Sequence, residues 1–115
     1  MINLNEILNL KTICNKPWGA YFDFYRSKTT CIKILIIKPG QKISYQRHFK
    51  RRETWEILEG NGRLILNDKE YSISAGNNFD VMSEDWHQVI NVGEANLVCL
   101  EIQVGFPDEE DIERK

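Results

Sequence analysis

Two histidines are all that this chain has, and each stands among other groups able to bind a cation. His48 follows Gln46 by two positions and precedes Glu53 by five, within residues 40–60, and His87 lies in residues 76–91 between Gly76 and Asn91. If Gln46, His48, Glu53 and His87 converge, they offer one divalent cation two imidazoles, a carboxylate and an amide oxygen. Zinc, iron, manganese or nickel suits such a set better than calcium, which takes oxygen ligands. Each imidazole must be neutral and the carboxylate ionised before it can donate. Taken singly, each histidine is more simply a strand residue hydrogen-bonded to backbone. The linked spacing is what favours a shared ion.

Strands are what must position these groups. Side chains alternate faces along a strand, so Ser44, Gln46, His48 and, at the cavity mouth, Lys50 point one way, while Ile43, Tyr45 and Arg47 point the other. After a bend through Arg51 and Arg52, Glu53 shares a face with Trp55 and Ile57, and His87 shares its face with Val89 and Asn91. From Trp18 onward, β-branched and aromatic runs are punctuated by turn signals at residues 38–40, 59–62, 67–68 and 75–78. This predicts strands over 19–26, 29–38, 42–48, 53–58, 62–66, 69–74, 78–82, 86–91 and 96–104. The fold class is therefore all-β. With no helix of crossover length between them, neighbours pair antiparallel and close into a barrel or sandwich. Residues 2–10 read as a short amphipathic helix or an arm, and the acidic run at residues 108–111 as a solvated end. The expected division is an N-terminal arm over 1–15 and one barrel domain over 16–115.

A chain of 115 residues supports one hydrophobic core, and a formal charge of −2 gives no general attraction to nucleic acid. The longest aliphatic run spans residues 34–37, far below the roughly 20 apolar residues of a membrane span. Glu6 stands where a secretion signal would carry a basic residue, so the expected location is cytoplasmic, with no membrane partner. Cys14, Cys31 and Cys99 are an odd, widely spaced set and read as buried thiols.

The spacings resemble those of the cupin family. The first motif reads Gly40, five residues, Gln46, one residue, His48, four residues, Glu53, six residues, Gly60. The second reads Gly76, five residues, Met82, one residue, Glu84, two residues, His87, three residues, Asn91. Gln46 replaces the usual first histidine, Met82 the motif proline and Glu84 the motif glycine. The last two changes should reshape the turn before His87. Within cupins the chain is similar to the type II phosphomannose isomerase domain, often fused behind a mannose-1-phosphate guanylyltransferase. The matching stretches are residues 16–19, 37–41 and 46–48, Glu53 with Trp55, Gly76, and residues 101–105 and 110–114. Three successive histidines of that family are here His48, Phe49 and Lys50.

The resemblance implies a jelly-roll barrel over roughly residues 16–114, commonly homodimeric, holding zinc on Gln46, His48, Glu53 and His87. It implies interconversion of mannose 6-phosphate and fructose 6-phosphate through an enediol, acting alone or with a separate guanylyltransferase. Such chemistry needs a Lewis acid and a base. Lys50 and Glu84 are the candidates for the base. Arg47, Lys50, Arg51 and Arg52 form a basic cluster that would attract a phosphate, with Arg51 and Arg52 alternatively a solvated bend. Glu101 and Gln103 share one strand face and line either the pocket or an outer surface. The substrate-contact candidates are thus Arg47, Lys50, Arg52, Glu101 and Gln103. Other readings are a non-catalytic sugar- or nucleotide-sugar-binding module, and another small cupin enzyme such as an oxygenase or epimerase.

Overall fold

The computed structural model describes residues 13–115. The arm or helix expected over residues 2–10 lies outside the described residues. The first strand, Ile13–Lys16 (β1), begins within the stretch expected as the arm and pairs with Gly19–Arg26 (β2). Gly19 is required here: at φ 150° it passes so close to β3 that a Cβ would lie 1.9 Å from the carbonyl oxygen of Ile36.

The remaining strands are Thr30–Ile37 (β3), Gln46–Arg47 (β4), Arg51–Glu59 (β5), Asn61–Leu66 (β6), Lys69–Ser74 (β7), Asn78–Val81 (β8), His87–Asn91 (β9), Leu97–Gly105 (β10) and Glu113–Arg114 (β11). Every strand pair is antiparallel. One sheet has the order β1-β2-β3-β10-β5-β8 and the other β11-β4-β9-β6-β7. The fold is all-β, and no helix occurs among the described residues. None is therefore long and apolar enough to cross a membrane.

The core lies between the two sheets, where alternation points Leu35, Ile37, Trp55, Ile57, Leu64, Val89 and Leu97 inward. Asn67 and Asp68, both at positive φ, turn β6 into β7 in two residues, the backbone such a hairpin demands. Cys31 and Cys99 are buried free thiols, whereas Cys14 is only half-buried.

Three local expectations need correction. The strand expected over 42–48 is a ladder only at Gln46–Arg47, with an isolated bridge from Lys42 to Ile90. The bend expected at Arg51 and Arg52 falls earlier. The Asp111 carboxylate accepts the backbone N–H of Phe49 and of Lys50 at 3.1 and 2.9 Å, so the chain turns there and β5 already runs at Arg51. The acidic end is not simply solvated, because Asp111 makes that cap and β11 pairs with β4 beyond it.

Candidate metal centre

The two sheets bring the candidate ligands together from opposite sides. Gln46 lies on β4 and pairs in register with His87 on β9, while Glu53 comes from β5 in the facing sheet. His48, Glu53 and His87 are all buried, and one ligand atom from each lies within 4.8 Å of the others. The two carboxylate oxygens of Glu53 divide the histidines. Oε2 is 3.4 Å from Nε2 of His48, and Oε1 is 3.4 Å from Nε2 of His87. Gln46 stands beside them, its Nε2 3.5 Å from Nε2 of His48 and its Oε1 accepting from the Ser44 hydroxyl at 2.8 Å.

Each imidazole is oriented through its outer nitrogen. Nδ1 of His48 lies 2.6 Å from the Asp111 carbonyl oxygen, and Nδ1 of His87 lies 3.0 Å from that of Asp85. A carbonyl can only accept, so both Nδ1 atoms donate and, in the neutral rings, both Nε2 lone pairs face inward. This is how metal-binding histidines are usually held. Nε2 of His87 is buried without a hydrogen-bond partner among the described residues, which leaves a lone pair aimed at the centre of the cluster. The donor set therefore fits a divalent cation.

Glu53 is held by three further donor atoms, on two residues. Nε and Nη2 of Arg51 reach its Oε2 at 3.0 and 2.9 Å, and the Trp55 indole donates to its Oε1 at 3.0 Å. Burial pushes the Glu53 pKa up, but His87, Arg51 and His48 outweigh it and hold the carboxyl well below the usual range. Burial pushes the His48 pKa down and keeps the ring neutral, whereas Glu53 outweighs burial at His87 and raises its pKa.

A cavity of about 230 Å³ opens beside this cluster, lined by Gln46, His48, Arg51, Glu101 and Gln103 among others. Glu101 and Gln103 face inward from β10 and are buried, with Gln103 Nε2 donating to Glu101 Oε1. Burial, with the nearby Glu53 charge, pushes the Glu101 carboxyl up to about 7.

The basic cluster does not assemble as expected. Arg51 alone enters the site, and its Nη2 also lies 3.0 Å from Nε2 of His48. Arg52, its neighbour on a strand, points outward and is exposed. Arg47 packs outside, over the rings of Phe49 and Trp86, with Glu113 at 3.2 Å. Lys50 is exposed over the Phe106 ring, and Glu84 is exposed on the turn before His87, so neither candidate base reaches the cavity. Glu84 keeps a left-handed φ of 71°, so the turn holds the shape of the motif glycine it replaces and His87 remains aimed inward.

Sequence reasoning missed Lys33. It stands among the inward positions Cys31, Leu35 and Ile37 of β3, and that parity is the signal that would have found it.

Two facing antiparallel sheets with two histidines and a glutamate converging between them make this fold a cupin. The chain belongs to the mannose-6-phosphate isomerase C-terminal family, whose model matches residues 3–115. Mannose-1-phosphate guanylyltransferase RfbM of Salmonella typhimurium is 31% identical over 100 residues, covering 86% of this chain and 21% of that protein. The chain thus spans about a fifth of the length of the curated relatives it matches. A putative sugar phosphate isomerase from Acidithiobacillus ferrooxidans shares the fold at a TM-score of 0.69 and 22% identity, over 90% of this chain and 74% of that one. A conserved protein with a double-stranded β-helix domain from Klebsiella pneumoniae does so at 0.78 and 12%, over 99% and 95%.

Proposed function

We propose that the chain is a metal-dependent isomerase of the mannose 6-phosphate type, interconverting an aldose and a ketose phosphate in carbohydrate metabolism. The observation that carries this reading is the convergence of His48, Glu53 and His87 beside a polar cavity, in a chain of this family. His48 and His87 would hold a divalent cation through Nε2 and Glu53 through its carboxylate, and Gln46 would add its amide oxygen once the amide turns over from its bond with Ser44. Zinc matches these donors well, and when bound it supplies Lewis-acid polarisation of the sugar carbonyl.

The reaction also needs a proton carried between adjacent carbons. Glu101 is the carboxyl placed for this task, being in the cavity wall, where burial makes it hold a proton more firmly than an ordinary carboxyl. Gln103 fixes the carboxyl through its amide donor. Arg51 and Trp55 hold Glu53 in place, and Trp55 with Leu35 and Ile43 supplies apolar wall that limits water.

A homodimer is part of the proposal. The outward face of β3 and β10 carries half-buried Ile32, Ile34, Ile36, Leu100 and Ile102, an apolar surface suited to a second copy. A guanylyltransferase is the proposed metabolic partner, because relatives bear that name.

A second reading is a sugar- or nucleotide-sugar-binding module without turnover. It is favoured by Arg51, whose guanidinium already meets both Glu53 and His48 where a metal would take its ligands. A coupled assay following mannose 6-phosphate to fructose 6-phosphate, with and without chelator, separates the two. The isomerase gives turnover that chelation abolishes; a full complement of metal without turnover leaves the binding module. Iron with oxygen consumption would point instead to an oxygenase.

A further inference from the structure

Lys33 is out of keeping with the wall it belongs to. Its side chain is 6% exposed, on a strand face otherwise made of Cys31, Leu35 and Ile37. A buried ammonium is costly unless it is paired. Lys33 meets two groups: its Nζ stands 4.4 Å over the Tyr21 ring and contacts Oε1 of Glu109. Arg26 reaches that same Oε1 through Nη2 at 3.1 Å, and its Nη1 donates to the Pro107 carbonyl oxygen at 2.7 Å. Two cations thus converge on a single carboxylate oxygen.

The partners are unequal in how firmly they are held. Lys33 is built into a central strand of the sheet, whereas Glu109 hangs from the turn after β10 with 51% of its side chain exposed. Lys16 and Arg51 line the same cavity, and Lys33, Arg51 and Arg26 together outweigh burial and hold the Glu109 carboxyl below its ordinary value. Arg26 stands behind the cavity wall and also pairs with Asp23 through Nε at 3.1 Å, yet Lys33 and Arg26 together still hold more donors than one Glu109 oxygen can use. Glu101 lines the same cavity as Lys33, Glu109 and His48, so it stands between this cluster and the metal candidates.

We propose that Lys33 and Arg26 form an anion-binding subsite for a phosphate group, and that Glu109 is its built-in occupant, displaced when the phosphate enters. The subsite rests on the sugar-phosphate reading only for the identity of the phosphate's carrier. A phosphate seated there would place the carbons of a short sugar chain toward Glu101, and a ligand would have to compete with Glu109 for its cations. An internal competitor weakens apparent affinity by the fraction of molecules in which the subsite is free.

Isothermal titration calorimetry of the full chain as purified tests this, with inorganic phosphate, mannose 6-phosphate and mannose as probes and metal content measured alongside. Glu109→Gln should bind inorganic phosphate about tenfold more tightly than the wild type if Glu109 occupies the subsite most of the time. Glu110→Gln, which removes the same charge one position on, should not. Added to Glu109→Gln, Lys33→Met should abolish the gain and Arg26→Gln, at a more exposed residue, should reduce it. Mannose alone should not respond to Glu109. Affinity in Glu109→Gln no greater than in Glu110→Gln, or a gain that survives the addition of Lys33→Met, would overturn the subsite, as would phosphate binding lost only when His87 is removed. Turnover with flat phosphate binding across these variants sinks the subsite alone. The expected pattern without turnover sinks the isomerase reading alone.

Discussion

Inside the barrel, Nε of Arg51 donates to Oε2 of Glu53 across 3.0 Å, joining two charged side chains that are both buried. The two residues stand two apart on β5, so the pleat aims them at the same space. Removing one partner of such a pair leaves the other charge stranded. Glu53→Gln should therefore destabilise the protein by about 3–5 kcal/mol in chemical denaturation, as well as weakening metal binding. The double change Arg51→Met with Glu53→Gln should recover most of that loss, because no uncompensated charge remains. A double variant no more stable than the single one would mean that the pair is not the source of the effect.

Glu101 gives the metal-stripped protein a pH dependence of definite sign. Its folded pKa, about 7, stands above the ordinary carboxyl value of 4.5. Below the lower value both folded and unfolded chains carry the proton. As pH rises through the interval the unfolded chain releases it first, so stability falls, by roughly 3 kcal/mol at most, and levels off above the folded pKa. His48 and His87 titrate nearby, so the test is the difference between wild type and Glu101→Gln. The stability advantage of Glu101→Gln should grow from pH 4.5 to pH 7 and then stay constant. A difference independent of pH would remove Glu101 as the titrating group.

Glu84 stores strain at a φ of 71°. Glycine adopts this conformation freely, so Glu84→Gly should stabilise the fold by about 0.5–1 kcal/mol, after allowing for the greater freedom of the unfolded chain. The backbone N–H of residue 84 donates to the His48 carbonyl oxygen at 2.6 Å, and this link should survive the change. Thermal melting reads the gain; a lower melting temperature would show that the Glu84 side chain contributes something the turn requires.

Much of the candidate site was legible because its signal is local. The spacing of Gln46, His48, Glu53 and His87 survives in the sequence, and strand parity aims Gln46 and His48 to one side. The parity of Glu101 and Gln103 left two faces open, and in the fold their face of β10, shared with the core residues Leu97 and Cys99, is the buried one. What stayed hidden depends on contacts between distant segments. Asp111 sets the bend at Phe49 and Lys50 from more than 60 positions away, and that shift carries Arg51 inside while leaving Arg52 outside. Lys33 meets Glu109 across 76 positions, and no periodicity in either segment announces the pairing. The acidic composition of residues 108–111 says only that they prefer water or cations, and the fold supplies the cations.

A cation held between the two sheets is the central requirement of this site, and metal analysis of purified protein and of His87→Ala, after equilibration with zinc and gel filtration, tests it most directly. Wild type should retain about one ion per chain and the folded variant close to none, since loss of one imidazole from a buried set removes most of the affinity. Wild type that retains no metal, or His87→Ala that retains as much as wild type, would contradict it.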